Sequence, residues 1–105
     1  MSEVQVTRNE DASRYEAHLD GELAGYAEYR YDNEYRYDDE RREGGVVEFP
    51  HTVTEPRFGG RGVASAIART SLEDARVDGL TVRPTCSFYA GWIEKHPEFA
   101  DLVAD

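Results

Sequence analysis

Arg57-Phe58-Gly59-Gly60-Arg61-Gly62-Val63 lies between a stretch that reads as a strand (46–53) and one that reads as a helix (62–77). A glycine-rich turn at a strand-to-helix junction lets backbone N–H groups converge on one point, where the helix dipole also favours negative charge. On the strand side, the period of two puts Val47, Phe49, His51 and Val53 on one face. On the helix side, Ala64, Ile67, Ala68, Ser71, Leu72 and Ala75 recur at helical spacing, and their small side chains suit close seating on a sheet. Asp78-Gly79 supplies a left-handed stop. A short strand over 80–83, ended by Pro84, and a second helix over 87–95 follow, with Phe88, Trp92 and Ile93 expected on its buried side. Residues 97–105 read as a last helical turn or a tail. Strand, helix, strand, helix implies a right-handed crossover between two parallel neighbours.

Upstream, residues 4–9, 14–19 and 23–31 read as strands, with the clearest alternation at Tyr15, Ala17 and Leu19. Asp20-Gly21 is a hairpin signal, and Gly25 inside a strand predicts a bulge or a close backbone approach. Residues 32–45 are charged and dotted with tyrosine, with no usable period, and are expected to form a mobile loop. The expected fold class is α/β with a mixed sheet: an antiparallel N-terminal meander, then β-α-β-α with two parallel strands. At 105 residues, 1–105 is expected to be a single domain.

The net charge of -10 argues against nucleic acid as a partner, because phosphate backbones would be repelled. No apolar run is long enough to cross a membrane. The first residues have neither a basic nor an apolar leader segment, one cysteine makes no internal disulfide, and no Cys/His set has zinc spacing. A cytoplasmic protein without metal, a monomer or weak homo-oligomer, is the simplest expectation. Eleven of the twelve basic residues are arginine, and Lys95 is the only lysine. Acid excess with lysine nearly absent suits a surface adapted to high salt, where the Debye length falls to about 3 Å at 1 M. The other reading is an acidic surface that attracts basic substrates. The acids are spread along the chain, which favours the halophilic one.

The phosphate loop is neither of the two common nucleotide motifs. The sole lysine is remote from the glycines, so a P-loop fails. Gly60 and Gly62 are not followed by a third glycine, Ser65 standing in its place, so the dinucleotide fingerprint fails too.

What remains, Arg57-x-x-Gly60-x-Gly62, resembles the acetyl-coenzyme A loop of the GNAT (GCN5-related) N-acetyltransferases. Phe49-Pro50-His51-Thr52-Val53, Pro56, Gly60-Arg61-Gly62-Val63-Ala64 and Pro84-Thr85-Cys86-Ser87-Phe88 together resemble a minimal single-domain branch of that superfamily. The resemblance implies acetyl-CoA or coenzyme A as co-substrate, and a small acyltransferase that acetylates an amine acceptor of unknown identity. Backbone N–H groups of Phe58, Gly59, Gly60, Arg61, Gly62 and Val63 would hold the pyrophosphate, with Arg57 or Arg61 adding charge-assisted contacts. Val53 and Thr54 would pair with the pantetheine arm as an added strand does. The chain lacks the helical segment with which larger GNAT enzymes build acceptor pockets, so a non-catalytic acyl-CoA-binding module is the alternative.

Three side chains are candidates for chemistry. Cys86 precedes a helix N-terminus, which favours thiolate, but a single cysteine is also a small buried hydrophobe. His51 would take the acceptor's proton directly or through water, or activate Cys86 as a nucleophile; sharing its face with Val47 and Phe49, it is equally a core histidine. By the same resemblance Tyr89, one turn into the last helix, would protonate the departing thiolate, as a tyrosine in a comparable helix does in many GNAT enzymes; either Phe88 or Tyr89 is equally a core residue.

Overall fold

The computed structural model describes residues 4–31, 45–59 and 62–103. A five-stranded sheet has the order β1 (Gln5–Asn9), β2 (Arg14–Leu19), β3 (Glu22–Tyr31), β4 (Val46–Thr54) and β5 (Thr81–Arg83). The first three pairings are antiparallel and β4–β5 is parallel, the mixed architecture that the sequence implies. The expected loop at 32–45 lies outside the described residues except for Gly45.

The hairpin between β2 and β3 turns on Asp20 and Gly21, both at positive φ (54° and 82°), the geometry of a two-residue turn whose twist matches its strands. In β2, Tyr15, Ala17 and Leu19 are buried and the residues between them are not. Both features expected of Gly25 are present. The register of β2 and β3 shifts beside it, and a Cβ at this position would stand 2.6 Å from the Val53 carbonyl oxygen and 3.0 Å from Val63 Cγ1.

α1 (Val63–Val77) crosses from β4 to β5 and buries Val63, Ile67, Ala68, Ser71, Leu72 and Ala75 against the sheet. Val63 takes the place at the head of the stripe expected for Ala64. Gly79, at φ 71°, ends the helix, and Leu80 N–H donates back to Ala75 C=O (2.9 Å). α2 (Ser87–Lys95) packs beside α1 and buries Tyr89, Trp92 and Ile93. Phe88, expected on that face, is only half-buried. A 3-10 helix, Pro97–Leu102, closes the chain, and Val103 bridges Val82 in parallel. These elements share one connected core. Among the described residues, no helix is long and apolar enough to cross a membrane.

Candidate functional site

β4 is bonded to β3 along most of its length but to β5 for only three residue pairs, Val46–Thr81, Val47–Val82 and Glu48–Arg83. Pro84 then turns the chain away, since it brings no N–H to the ladder. Past that point the main chain is still tied to β4, where Cys86 N–H donates to Phe49 C=O at 3.0 Å. Beyond Phe49 the two strands part, and β4 continues alone on that side as one wall of a fork.

β4 also carries an extra residue. Glu28 pairs with His51 and Arg30 with Glu48, so β4 takes three steps where β3 takes two. Pro50 sits inside that interval, as expected of a proline confined to bulges and edges. The bulge slips the alternation by one residue. Val47 and Phe49 point into the core, and after the bulge Thr52 and Thr54, opposite Ala27 and Gly25, take over that side. The sequence expectation that Val47, Phe49, His51 and Val53 share one face is therefore wrong. His51 is exposed, lies opposite Glu28 and approaches the Tyr26 ring edge-on at 6.5 Å. It is not a core histidine.

Thr52 fills the place next to Cys86 that strand periodicity assigns to His51. The Cys86 thiol donates to Thr52 Oγ1 at 3.4 Å, and Cys86 caps the start of α2 in an extended conformation (φ -76°, ψ 128°). Burial pushes the thiol up, but the Thr52 hydroxyl and the backbone amides of Phe88, Tyr89 and Thr52 outweigh it, leaving the pKa below that of an ordinary cysteine. The thiol is half-buried and free.

Tyr89 is fully buried. Its ring stacks on Phe49 (centroids 4.5 Å apart, 4° between planes), and its hydroxyl shares a hydrogen bond with Ser71 Oγ at 2.8 Å. Burial raises its phenol well above the ordinary value. Ser71 Oγ also donates to Ala68 C=O (3.1 Å). The Tyr89 hydroxyl therefore belongs to the α1–α2 seam, and reaching the fork would require it to leave Ser71.

At the other end of the fork, a 3-10 turn (Pro56–Phe58) leads toward α1. Two amides expected to bind pyrophosphate are already engaged: Phe58 N–H donates to Glu55 C=O (2.9 Å) and Gly59 N–H to Pro56 C=O (3.0 Å). The Phe58 ring is buried. Arg57 covers that ring at 4.6 Å and bonds Glu22 Oε1 at 2.8 Å. Gly60 and Arg61 lie outside the described residues. Gly62, in the left-handed region at φ 75°, is the N-cap of α1, and the helix's own ladder begins with Ala66 N–H donating to Gly62 C=O (2.9 Å). The amides of Val63, Ala64 and Ser65 precede that bond, in the first turn where a helix leaves its donors open. No side chain caps this end and no acid lies in its first turn. On a chain of net charge -10, that local absence of carboxylate suits an anion.

Along β4, the Val53 carbonyl is turned toward Gly25, and Glu55 N–H donates to Ala24 C=O (2.8 Å). Strand alternation therefore turns the backbone of Thr52 and Thr54 into the fork. Of the two residues expected to pair with a pantetheine arm, Thr54 presents its backbone there, and Val53 does not. Among the described residues, no group of three or more His, Cys, Asp or Glu is placed to hold a metal ion.

Residues 14–102 match the family described as GCN5-related N-acetyl-transferase. The chain belongs to that family. Its fold is similar to the solution structure of a GCN5-like protein from Staphylococcus aureus (TM-score 0.65, 21% identity, 99% of this chain and 91% of that one). It is also similar to a ribosomal-protein-alanine N-acetyltransferase from Brucella melitensis biovar Abortus 2308 (TM-score 0.52, 14% identity, 88% and 61%). A third similar fold is the aminoglycoside N-acetyltransferase AAC(6')-Iy in complex with CoA (TM-score 0.51, 18% identity, 88% and 59%). The chain spans about three-fifths of the last two proteins, and at these identities the likeness is one of fold. No curated protein matches significantly.

Within this GCN5-related chain, the fork brings together Thr52, Thr54, Cys86 and the α2 amides, while His51 stands on the other face of β4. Sequence reading passed over Thr52. Pro50 in mid-strand was the available signal, because a bulge there transfers the inward position from 51 to 52.

Proposed function

We propose that this protein is a small N-acetyltransferase that takes the acetyl group of acetyl-CoA and delivers it to an amine. The observation that carries the reading is the β4–β5 fork with the Cys86 thiol at its apex, in a chain of GCN5-related fold. The ligand fits the residues present. The Thr52 carbonyl and the backbone of Thr54 would pair with the amides of the pantetheine arm, and the open first-turn amides of α1 at Val63–Ser65, with Gly60, Arg61 and Gly62 before them, would face the pyrophosphate. Arg57 would add charge by leaving Glu22. That AAC(6')-Iy was solved with CoA supports this choice of co-substrate.

Two routes lead from there. In one, the acceptor amine attacks the thioester carbonyl directly, the bond to the CoA sulfur breaks, CoA leaves as thiolate, and the amine's proton passes to His51 or to water. In the other, the Cys86 thiolate attacks the thioester carbonyl, the bond to the CoA sulfur breaks, and CoA leaves as thiolate. The amine then attacks acetyl-Cys86, the bond to Sγ breaks, and the thiolate is restored as the amine's proton is lost. The depressed thiol pKa favours the second route. Tyr89 would serve as acid only by releasing Ser71. A working thiol goes with a reducing, cytoplasmic setting, and the acid excess goes with high salt.

The test is a calorimetric titration with coenzyme A in molar salt, followed by intact-protein mass measurement after acetyl-CoA exposure. Saturable binding and one acetyl group, absent from Cys86→Ser, are expected. No binding overturns the reading. Unchanged turnover in Cys86→Ala leaves direct transfer. Binding with neither adduct nor transfer to any amine leaves a CoA-binding module.

A further inference from the structure

We infer that Thr52, rather than a histidine base, is the positioning residue that sets Cys86 up as a nucleophile. The inference rests on the reading of the fork as an acetyl-transfer site. Its geometry begins with the β4 bulge: without the extra residue between Glu48 and His51, His51 would occupy the inward position beside the thiol, and Thr52 would face away. With it, Thr52 Oγ1 lies 3.4 Å from Cys86 Sγ, while the Cys86 backbone is pinned to Phe49 by its own N–H. The sulfur is thus fixed from both sides, by its main chain to the residue before the bulge and by its side chain to a residue after it.

A threonine cannot take the thiol proton, so its action differs from that of a base. When the thiol is protonated it donates to Oγ1, and when it is ionised the hydroxyl reverses and donates to sulfur. Uncharged donors complete the shell: the Thr52 amide from β4, and the Phe88 and Tyr89 amides from the first turn of α2. Among the described residues Tyr89 is a titratable neighbour, and burial keeps its phenol protonated; from α1, Ser71 holds that phenol in place. When Cys86 loses its proton, these donors stabilise the anion, and its reactivity has no limb that follows a histidine.

The measurement is the pH profile of Cys86 alkylation by iodoacetamide in the full chain, which needs neither acetyl-CoA nor an acceptor. In Thr52→Val, which keeps the shape and removes the hydroxyl, the midpoint is expected to move up, with about a tenfold loss of alkylation rate at neutral pH for every pH unit that it moves. Thr52→Ser is expected to restore the original profile, and His51→Gln to leave it in place. An unchanged profile in Thr52→Val overturns the inference. Equal loss in Thr52→Val and Thr52→Ser assigns the effect to packing and overturns it as well. A profile displaced by His51→Gln hands the role back to the histidine. A failed coenzyme A titration with the profile behaving as expected would remove the acetyl-transfer reading and leave the Thr52–Cys86 pair intact.

Discussion

At the scale of single residues, Cys86, Thr52 and Tyr89 show how far the identity of a side chain predicts its use. Cys86 before a helix start was legible, because the position of a cysteine after Pro84-Thr85 is a local property. The surroundings of Tyr89 were not, since its hydroxyl partner, Ser71, is 18 residues away and no local rule pairs them. Tyr89→Phe removes one buried hydrogen bond and should cost about 1 kcal/mol in chemical denaturation, with turnover per folded molecule unchanged. A fall in kcat with stability intact would instead make Tyr89 the proton donor. Glu48 is a second residue with a testable charge. The Thr85 hydroxyl first, and then Arg30, hold its carboxyl below the ordinary carboxylate range. A depressed folded pKa gives stability that is present above the unfolded value and lost as pH falls through the folded one. Thermal stability should therefore be flat near neutrality and decline on the acid side, and Glu48→Gln should shrink that acid limb. An identical limb in the variant would show that this carboxylate makes no difference.

At the scale of elements, the alternation in β2, the hairpin at Asp20-Gly21 and the glycine stop of α1 all follow from rules acting within a few residues, and each is where the sequence puts it. The β4 bulge breaks a rule of the same kind. Periodicity assumes one residue per step, and Pro50 removes a ladder donor in the middle of the count. The fork depends on a further close contact that local rules only hint at. Val63, at the head of α1, rests on Gly25 of β3, with no room for a methyl group between Gly25 and the Val53 carbonyl. Gly25→Ala should therefore push the start of α1 away from β4, costing about 3 kcal/mol of stability and weakening coenzyme A binding more than a core substitution at the far end of α1, such as Ala75→Gly. Equal affinity in both variants would separate the glycine from the site.

At the scale of the whole molecule, the order of elements made the mixed sheet legible before any contact was known, whereas the division of labour on its two faces was not, because a one-residue slip decides it. Net charge of -10 acts on the entire chain. If salt adaptation explains the acid excess, the melting temperature should climb as potassium chloride rises toward molar levels, by more than screening of exposed ion pairs would take away. The proposed function stands or falls on where coenzyme A binds on this surface. A titration followed through backbone amide resonances reads that directly. Saturable shifts are predicted at residues 52–54, 62–65 and 86–89, along the two arms of the fork and the start of α1. Shifts gathered instead in the apolar groove of Pro84, Ile93, Pro97 and Val103, or no saturable shift at all, would contradict it.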